Sequence, residues 1–348
     1  MLRILNSFIV YFVSALLIFQ PFAANAAGGI VVDPGSGATL DSAQNNVPIV
    51  NIVNPNSNGL SHNKFQDFNV GTEGVIINNS LAIGVSQLGG AMAANPNLST
   101  EARIILNEVM GANRSALNGV TEIFGGRAEY ILANPNGITC NGCGFINTPR
   151  VTLSTGAPQV VNGQLYGFDV SGGDVSFEGA GFNGITGDLA LDSFDIIARA
   201  ASFAAAVHVQ GDLNVITGAN SVKYSDLSTT ANAASGVAPT VAIDSSVLGG
   251  MYAGKIKLIA TEAGVGVNTA GNLATTAGDM VITADGQVVY ADVSASDDLQ
   301  INGADITQTG SSYAGGSLDI ISSGNIDLAG SLAAAKNNVK LDANGNST

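Results

Sequence analysis

Tryptophan is absent from this chain of 348 residues, and charged residues make up only 11% of it. The 12 Lys and Arg are outnumbered by 27 Asp and Glu, which gives a net charge of −15. That balance argues against a nucleic-acid partner and against electrostatic docking on anionic lipid. Leu, Glu and Lys are too few for a helical bundle, whereas an apolar fraction of 46% is too high for a disordered chain.

Long hydrophobic runs are missing except at the N-terminus. Arg3 precedes an almost entirely apolar run from Ile4 to Phe19, and Ala24-Asn25-Ala26 has the small-x-small pattern of a cleavage site. The run is too short, and too close to that site, for a retained membrane anchor. We therefore predict an export signal over residues 1–26, read by the general (Sec) export machinery, and a mature protein outside the cytoplasm.

Amphipathic helical patterns are also hard to find, whereas glycine is abundant, with 44 residues. Short alternating strands recur, and from residue 278 onward their spacing is about 18–22 residues, which is one turn of a parallel β-solenoid. Gly and Asn suit its corners because they tolerate left-handed backbone angles. The segments with the clearest pattern are 211–216, 254–259, 278–282, 298–301, 316–321 and 338–341.

The two ends of the chain differ in pattern. A solenoid has an open sheet edge at each end, and an open edge invites strand addition. Residues 28–58 are rich in Gly, Pro and Asn with short β-type runs, so we predict an N-terminal cap there. Residues 340–348 stop inside a repeat without a cap signal. We therefore expect this chain to be the first part of a longer protein or a truncated one.

The most informative segment is residues 134–148, which combines a turn, two cysteines and a β-type run. Asn134-Pro135-Asn136-Gly137 has Pro and Gly where a type I turn favours them. Cys140 and Cys143 are the only cysteines. An export signal implies an oxidising compartment, so a local disulfide between them is expected. A thioredoxin-type redox role would need a βαβ setting, and no helical pattern lies nearby.

Two short motifs carry a resemblance to a known family. Asn95-Pro96-Asn97-Leu98 and Asn134-Pro135-Asn136-Gly137-Ile138 resemble the paired NPNL and NPNGI motifs of filamentous-haemagglutinin-type exoproteins. One such motif would be weak, but further agreement occurs in the same order along the chain. The other matching segments are 59–65, 68–70, 144–150, 251–256 and 261–267.

The resemblance implies a fold and a role. It implies a two-partner secretion (TPS) domain over residues 27–270, with further β-helix repeats over 271–348. The fold would be all-β, a right-handed parallel β-helix with an N-terminal β cap and extra-helical hairpins. The role would be the secretion module of a large adhesin, haemagglutinin, haemolysin or contact-dependent toxin. The Cys140/Cys143 pair resembles the haemolysin and contact-dependent-inhibition branch.

The same resemblance implies partners and a location. A dedicated outer-membrane β-barrel transporter would recognise the module and move the chain across, after which it folds coil by coil. The protein would pass through the periplasm of a Gram-negative-type bacterium and be secreted or held at the cell surface. Contacts with host or neighbouring cells would belong to sequence further along.

The asparagines of the two motifs have two interpretations. They can shape coil turns, since Asn is a common turn residue, or the transporter can contact them. The resemblance favours a structural role for the first motif and contact for the second. The residues predicted for transporter recognition and folding are Asn95, Pro96, Asn97, Leu98, Asn134, Pro135, Asn136, Gly137 and Ile138.

Basic residues cluster around the motifs. We expect exposed ion pairs there, which contribute little to stability; the alternative is a positive patch that faces an acidic groove on the transporter. The arginines are Arg103, Arg114, Arg127 and Arg150, and the glutamates expected to pair with them are Glu101, Glu108, Glu122 and Glu129.

Motifs of catalysis or metal binding are missing. His62 and His208 have no Cys, His or acidic cluster at ligand spacing, and no calcium-binding nonapeptide or catalytic signature occurs. We predict no metal, no cofactor and no enzyme activity. The alternative is a polysaccharide lyase or glycosidase, which would need clustered carboxylates or a base with a metal on one face. Direct binding of host glycans is a third interpretation.

Overall fold

The structure is a computed structural model that describes residues 29–185 and 187–348, so the predicted export signal over residues 1–26 lies outside the described residues. Regular structure in these residues is almost entirely β-strand, with a short 3-10 turn at Gly187–Leu189. Within the same ranges, no helix has the length and apolar character needed to cross a membrane.

The strands are short and follow one another with brief turns. Before the 3-10 turn they are β1 (Val31–Val32), β2 (Thr39–Ser42), β3 (Pro48–Asn51), β4 (Leu60–Asp67), β5 (Val75–Asn79), β6 (Gly84–Ser86), β7 (Gly90–Met92), β8 (Ile104–Val109), β9 (Ser115–Leu117), β10 (Val120–Gly125), β11 (Glu129–Ala133), β12 (Ile138–Cys140), β13 (Gly144–Ile146), β14 (Arg150–Ser154), β15 (Ala157–Val161), β16 (Gln164–Asp169), β17 (Asp174–Phe177) and β18 (Phe182–Gly184). After it they are β19 (Ser193–Ala198), β20 (Ala200–Phe203), β21 (Val207–Val209), β22 (Asp212–Thr217), β23 (Asn220–Lys223), β24 (Thr229–Ala231), β25 (Val241–Ser245), β26 (Met251–Ala253), β27 (Lys255–Ala260), β28 (Gly266–Thr269), β29 (Leu273–Thr275), β30 (Met280–Ala284), β31 (Val288–Tyr290), β32 (Val293–Ala295), β33 (Leu299–Gly303), β34 (Ile306–Gln308), β35 (Ser311–Ala314), β36 (Leu318–Ser322), β37 (Ile326–Asp327), β38 (Leu332–Ala335) and β39 (Val339–Ala343).

Three faces are built from these strands. The long sheet has 12 strands in the order β1-β4-β8-β11-β14-β19-β22-β27-β30-β33-β36-β39, and the second face has nine in the order β9-β12-β17-β20-β25-β28-β31-β34-β37. The third face begins as the five-stranded sheet β2-β3-β5-β10-β13 and continues as the seven-stranded sheet β18-β21-β26-β29-β32-β35-β38. A bridge between Cys143 and Phe182 joins its two parts.

Each coil visits the three faces in turn, and neighbouring coils pair in parallel. Met280 pairs with Leu299 and Leu299 with Leu318, each 19 residues on, and Leu318 pairs with Val339, 21 residues on. The predicted right-handed parallel β-helix is confirmed, with the hand that parallel crossover connections almost always take. All six segments singled out by their alternating pattern lie in the long sheet, as β22, β27, β30, β33, β36 and β39.

The interior is filled by the inward side of every strand. Met280, Leu299 and Leu318 stack above one another with at most 1% of each residue exposed. Because parallel coils place one inward residue above the next, like side chains form columns. On the nine-stranded face, β17 and β20 contribute aromatic rings to such a column: Phe177 and Phe203 are stacked with their centroids 5.0 Å apart.

The N-terminal end of the helix is closed by two antiparallel strands. β1 pairs with β4 and covers the edge of the long sheet, and β2 pairs with β3 and covers the edge of the third face. Strands added in the opposite direction end the parallel stack, and the short strands β1 and β2 become the terminal edges of their sheets. The cap therefore lies in the segment where the sequence predicts it.

Two extra-helical elements cover the outer faces of the first coils. Strands β15, β16, β23 and β24 form an antiparallel sheet whose Phe168 and Tyr224 pack on Ile131 and Ile197 of the long sheet. Hairpin β6–β7 packs Met92 and its neighbours on the outer side of the five-stranded sheet. Both elements emerge from corners of the helix, so they add cover without interrupting a face.

Candidate functional site: the Asn-Pro-Asn turns

The first motif closes the corner that leads into β8. Asn95 is buried, with 3% exposed, and its Nδ2 donates to the carbonyls of Ile52 at 3.0 Å and Asn78 at 2.7 Å. Its Oδ1 accepts the backbone N–H of Asn97 at 2.9 Å, an Asx turn. Asn97 Nδ2 in turn donates to the carbonyl of Asn51 at 3.2 Å. One side chain thus shapes its own turn and fastens it to the preceding coil.

The second motif repeats this arrangement at the corner between β11 and β12. Asn134 is fully buried, and its Nδ2 donates to the carbonyl of Asn113 and to Ser115 Oγ, both at 2.9 Å. Its Oδ1 accepts the backbone N–H of Asn136 at 2.9 Å. The N–H of Gly137 donates to the Asn134 carbonyl at 3.0 Å, which closes the predicted turn.

Gly137 is required by its surroundings. Its φ is +103°, and a Cβ there would lie 2.4 Å from Arg114 Nη1 and 2.9 Å from the carbonyl oxygen of Asp174. Arg114 lies across the turn, with Nη1 and Nη2 each 2.8 Å from the Asp174 carboxylate and Nε 2.6 Å from Thr139 Oγ1. The guanidinium therefore ties three successive coils together over the glycine.

The two motifs occupy different corners, so the structure does not bring them into one cluster. The first lies between the third face and the long sheet, and the second between the long sheet and the nine-stranded sheet. Asn95, Asn134, Gly137 and Ile138 are buried, Asn97 and Leu98 are half-buried, and Pro96, Pro135 and Asn136 are exposed. A partner of the folded domain can therefore reach only the exposed group directly.

A third Asn-Pro-Asn tripeptide, which the sequence analysis missed, lies at Asn54-Pro55-Asn56, where the turn itself runs from Asn56 to Gly59. Asn54 Oδ1 accepts the backbone N–H of Ser99 at 2.7 Å, just after the first motif, so this hydrogen bond joins the two segments at one corner. Asn56 Nδ2 donates to the carbonyl of Gly163 at 2.7 Å, at the tip of the hairpin β15–β16. Recurrence of the tripeptide at 54, 95 and 134 was the signal that could have found it.

Cys140 and Cys143 are joined by a disulfide, with their Cα atoms 5.3 Å apart. Both residues are buried in the main core cluster. Cys140 ends β12, and Cys143 bridges to Phe182 just before β13. The link thus closes the corner that follows the second motif.

The expected pairing of the arginines with Glu101, Glu108, Glu122 and Glu129 is wrong. Arg114 pairs with Asp174, Arg127 with Asp192 at 3.4 Å and Arg150 with Asp195 at 2.6 Å. Arg103 donates instead to the carbonyl of Asn58 at 2.7 Å. The physical reason is that coil stacking, rather than closeness in sequence, decides which charges meet.

The glutamates have other partners. Glu108 Oε2 lies 2.7 Å from His62 Nε2, and buried Glu122 accepts Ser86 Oγ at 2.6 Å and the N–H of Leu88 at 2.8 Å. Glu122 thereby fixes the hairpin β6–β7 on β10.

Arg150 and Asp195 form the centre of a covered polar network on the long sheet. Asp195 is fully buried and also accepts Asn214 Nδ2 at 2.9 Å. The Arg150 guanidinium lies 4.0 Å from the centre of the Tyr224 ring, and the Tyr224 hydroxyl donates to Glu129. Burial raises the pKa of Tyr224. The network therefore fastens the extra-helical sheet to the helix instead of presenting a positive patch.

Exposed carboxylates gather at one corner of the later coils. Oxygens of Asp279, Asp297 and Asp298 lie within 4.8 Å of one another. Asp279 accepts the backbone N–H of Asp298, and Asp298 accepts that of Ser317 at 2.7 Å. Their placement is explained by these contacts between coils.

Comparison with known proteins places this architecture in a family. The model of the TPS secretion domain matches residues 29–290. A 16S rRNA endonuclease CdiA of Enterobacter cloacae is 45% identical over 339 residues, which cover 96% of this chain and 10% of that protein. Filamentous hemagglutinin of Bordetella pertussis is 41% identical over 263 residues, 73% of this chain and 7% of that protein.

A solved structure agrees with the fold. The crystal structure of a filamentous hemagglutinin secretion domain matches with a TM-score of 0.74 and 35% identity, over 88% of this chain and 99% of that one. The chain spans about a tenth of the length of the first curated relatives that it matches. The matched region holds the cap, the Asn-Pro-Asn turns and the extra-helical elements. This chain therefore belongs to the TPS secretion domain family.

Proposed function

We propose that this chain is the N-terminal secretion module of a large exoprotein and that a cognate outer-membrane β-barrel transporter recognises it. The match of residues 29–290 to the TPS secretion domain is the observation that carries the proposal. The capped first coils support it further, because a stack closed at one end can nucleate there and extend in one direction only. The chain would reach the periplasm through the Sec machinery and fold outside the cell.

The effector of the whole protein would lie in sequence further along. Relatives carry the names 16S rRNA endonuclease, tRNA nuclease and filamentous hemagglutinin, and this chain covers a tenth of them or less. We propose that residues 27–270 form the secretion module without enzymatic activity and that residues 271–348 begin the repeat region. The polysaccharide-active alternative predicts new reducing ends when purified protein is incubated with pectin.

Within the second motif, we propose that Pro135 and Asn136 are the groups that the transporter contacts when this local turn forms in the periplasm, before the coils fold outside the cell. Asn134 is fully buried and its side chain takes part in four hydrogen bonds, so its loss would alter the turn itself. Pro135 is exposed. Pro96 occupies the same place in the first turn and provides a matched control.

The test is release of the chain into the medium by cells that express the cognate transporter. We expect Pro135→Ala to reduce release while the purified variant unfolds at the same urea concentration as the wild type. Asn136→Ala should also reduce release, with a small loss of stability because Asn136 Nδ2 donates to the carbonyl of Gly111 at 2.8 Å. Pro96→Ala should be released normally. Release unaffected by Pro135→Ala and Asn136→Ala would make the motif a turn element only. Absence of transporter-dependent release of the wild type would contradict the secretion proposal itself.

A further inference from the structure

The outer side of the seven-stranded sheet carries a column of side chains, one from each coil. His208 pairs in register with Tyr252, Tyr252 with Ala274, Ala274 with Ser294, and Ser294 with Tyr313. Paired strands are about 4.8 Å apart, so the strand positions of the two tyrosines are separated by about 14 Å. Only the two small residues lie between them, and they form the floor of a trough with an aromatic side chain at each end.

The aromatic ends of this trough are held in place to different degrees. Tyr313 is 50% exposed. The Tyr252 ring stacks on His208, with centroids 4.7 Å apart and planes 9° apart. A Cβ on Gly250 would lie 2.8 Å from that ring, so the glycine leaves the room that the ring fills. The Tyr252 end is therefore preorganised, which lowers the entropy that a ligand would cost on binding.

Polar groups lie along one edge of the trough. Asp292 Oδ1 accepts the N–H of Ser311 at 2.8 Å, and the Asn272 side chain is exposed beside it. In the described part of the chain, neither Asp292 Oδ2 nor the Asn272 amide takes part in a hydrogen bond. A carboxylate oxygen accepts, and an amide both donates and accepts. The trough thus offers both kinds of group next to its apolar walls.

We propose that this trough binds a short, neutral oligosaccharide. Aromatic side chains supply large, rigid apolar faces, on which the C–H face of a sugar ring can stack, while the edge groups bind its hydroxyls. The volume, about 290 Å³, is near the lower end for small-molecule sites, so one or two sugar units would be held. Among the residues that the structure describes, no Lys or Arg lines the trough, and the chain carries a net charge of −15. Sulfated or uronic glycans would be repelled because they are negatively charged as well.

The experiment is titration calorimetry of the purified chain with neutral hexasaccharides built from glucose, galactose, mannose or xylose, and with a heparin hexasaccharide as the charged comparison. We expect saturable binding of at least one neutral sugar and none of the heparin fragment. Tyr313→Ala and Ser294→Tyr, which fills the floor, should each weaken binding by about tenfold or more. Tyr313→Phe keeps the ring and should bind normally.

Tyr166→Ala is the matched control, because Tyr166 is 55% exposed and lies on the extra-helical sheet, away from the trough. Its affinity should equal that of the wild type. The substituted positions are exposed, so circular dichroism should be unchanged in every variant. Absence of binding to all the neutral sugars would overturn the proposal, as would preference for heparin or binding that survives both Tyr313→Ala and Ser294→Tyr.

Discussion

The coils up to β25 and the coils from β26 onward share the same three faces but differ in what lies on them. In the first region two of the outer faces are apolar and covered: Ile131 lies beneath the extra-helical sheet and Phe124 beneath the hairpin β6–β7. In the second region the faces are bare, and Tyr313 and Leu332 are 50% and 63% exposed. The covered region has a second layer of core, whereas the bare region depends on stacking alone.

The polar side chains differ between the two regions as well. In the covered region, buried groups such as Asn134 and Asp195 give individual corners and faces a unique shape. In the bare region, exposed aspartates at the corners accept one N–H each from the next coil, as Asp292 and Asp298 do. A buried network specifies one arrangement, and breaking it lowers the free energy of unfolding strongly. Loss of one repeated exposed contact lowers it only slightly.

Removal of the buried carboxylate should give the largest effect. Asp195→Ala removes the carboxylate that pairs with the largely buried Arg150 guanidinium and accepts from Asn214, and we expect a loss of about 3–5 kcal/mol in the free energy of unfolding, as for other broken buried ion pairs. Urea unfolding followed by circular dichroism measures it. A loss similar to that of an exposed aspartate variant would contradict the distinction between the two regions.

Gly137→Ala should come next. The new Cβ would meet Arg114 and the Asp174 carbonyl at a φ of +103°, so both strain and displacement of the arginine contribute, about 2–3 kcal/mol in all. Gly330→Ala in the bare region is the matched control, because its φ is +78° and nothing lies within 4 Å of its Cβ. It should cost only the backbone strain, about 1 kcal/mol. Equal costs would show that crowding at the turn is unimportant.

The ion pair between Arg199 and Glu262 predicts a pH effect. Its atoms lie 2.7 Å apart and both side chains are largely buried. The hydrogen bond from Arg199 lowers the pKa of Glu262 below its ordinary value of 4.5. The folded-state value is thus below the unfolded one, so this stabilisation is complete above about pH 4.5 and is lost as the pH falls through the lowered pKa.

Glu262→Gln should therefore cost about 1.5 kcal/mol at neutral pH and flatten the acid limb of the stability curve. Urea unfolding at a series of pH values measures both. Glu178→Gln, at an exposed position, should leave the curve unchanged. An unaltered acid limb in Glu262→Gln would exclude this pair as a source of acid sensitivity.

Asp298→Ala should have the smallest effect, about 0.5 kcal/mol, because the side chain is exposed and water can replace it as acceptor for the N–H of Ser317. Hydrogen exchange of that amide should become faster while amides in the covered region are unchanged. Asp298→Asn keeps an acceptor oxygen and should restore most of the protection. Spread of the effect into the covered region would mean that the two regions unfold as one unit.

Local patterns predicted the fold well because each coil repeats the same physics. Alternation and spacing identified β22, β27, β30, β33, β36 and β39, and composition located the cap. These features depend on residues near one another in sequence. The turn at Asn134 was predicted for the same reason, since Pro135 and Gly137 specify it locally.

Contacts between coils were not predictable in this way. The pairing of Arg150 with Asp195 joins residues 45 apart, and loops of variable length between them set that distance in sequence. The burial of Asn134 was equally hidden, because it depends on Asn113 and Ser115 in the coil below. Motif recognition marked the residue but left open whether its side chain faces a partner or the interior.

The spacing of 19 residues between paired positions has a mechanical meaning. An extended chain of that length spans about 65 Å, whereas one more coil lengthens the helix by only about 4.8 Å. Folding therefore shortens the chain more than tenfold along its own path. When the capped end of the stack is fixed, each coil that folds draws extended chain toward the growing end. Part of the free energy released by that coil is thereby converted into directed movement of the chain.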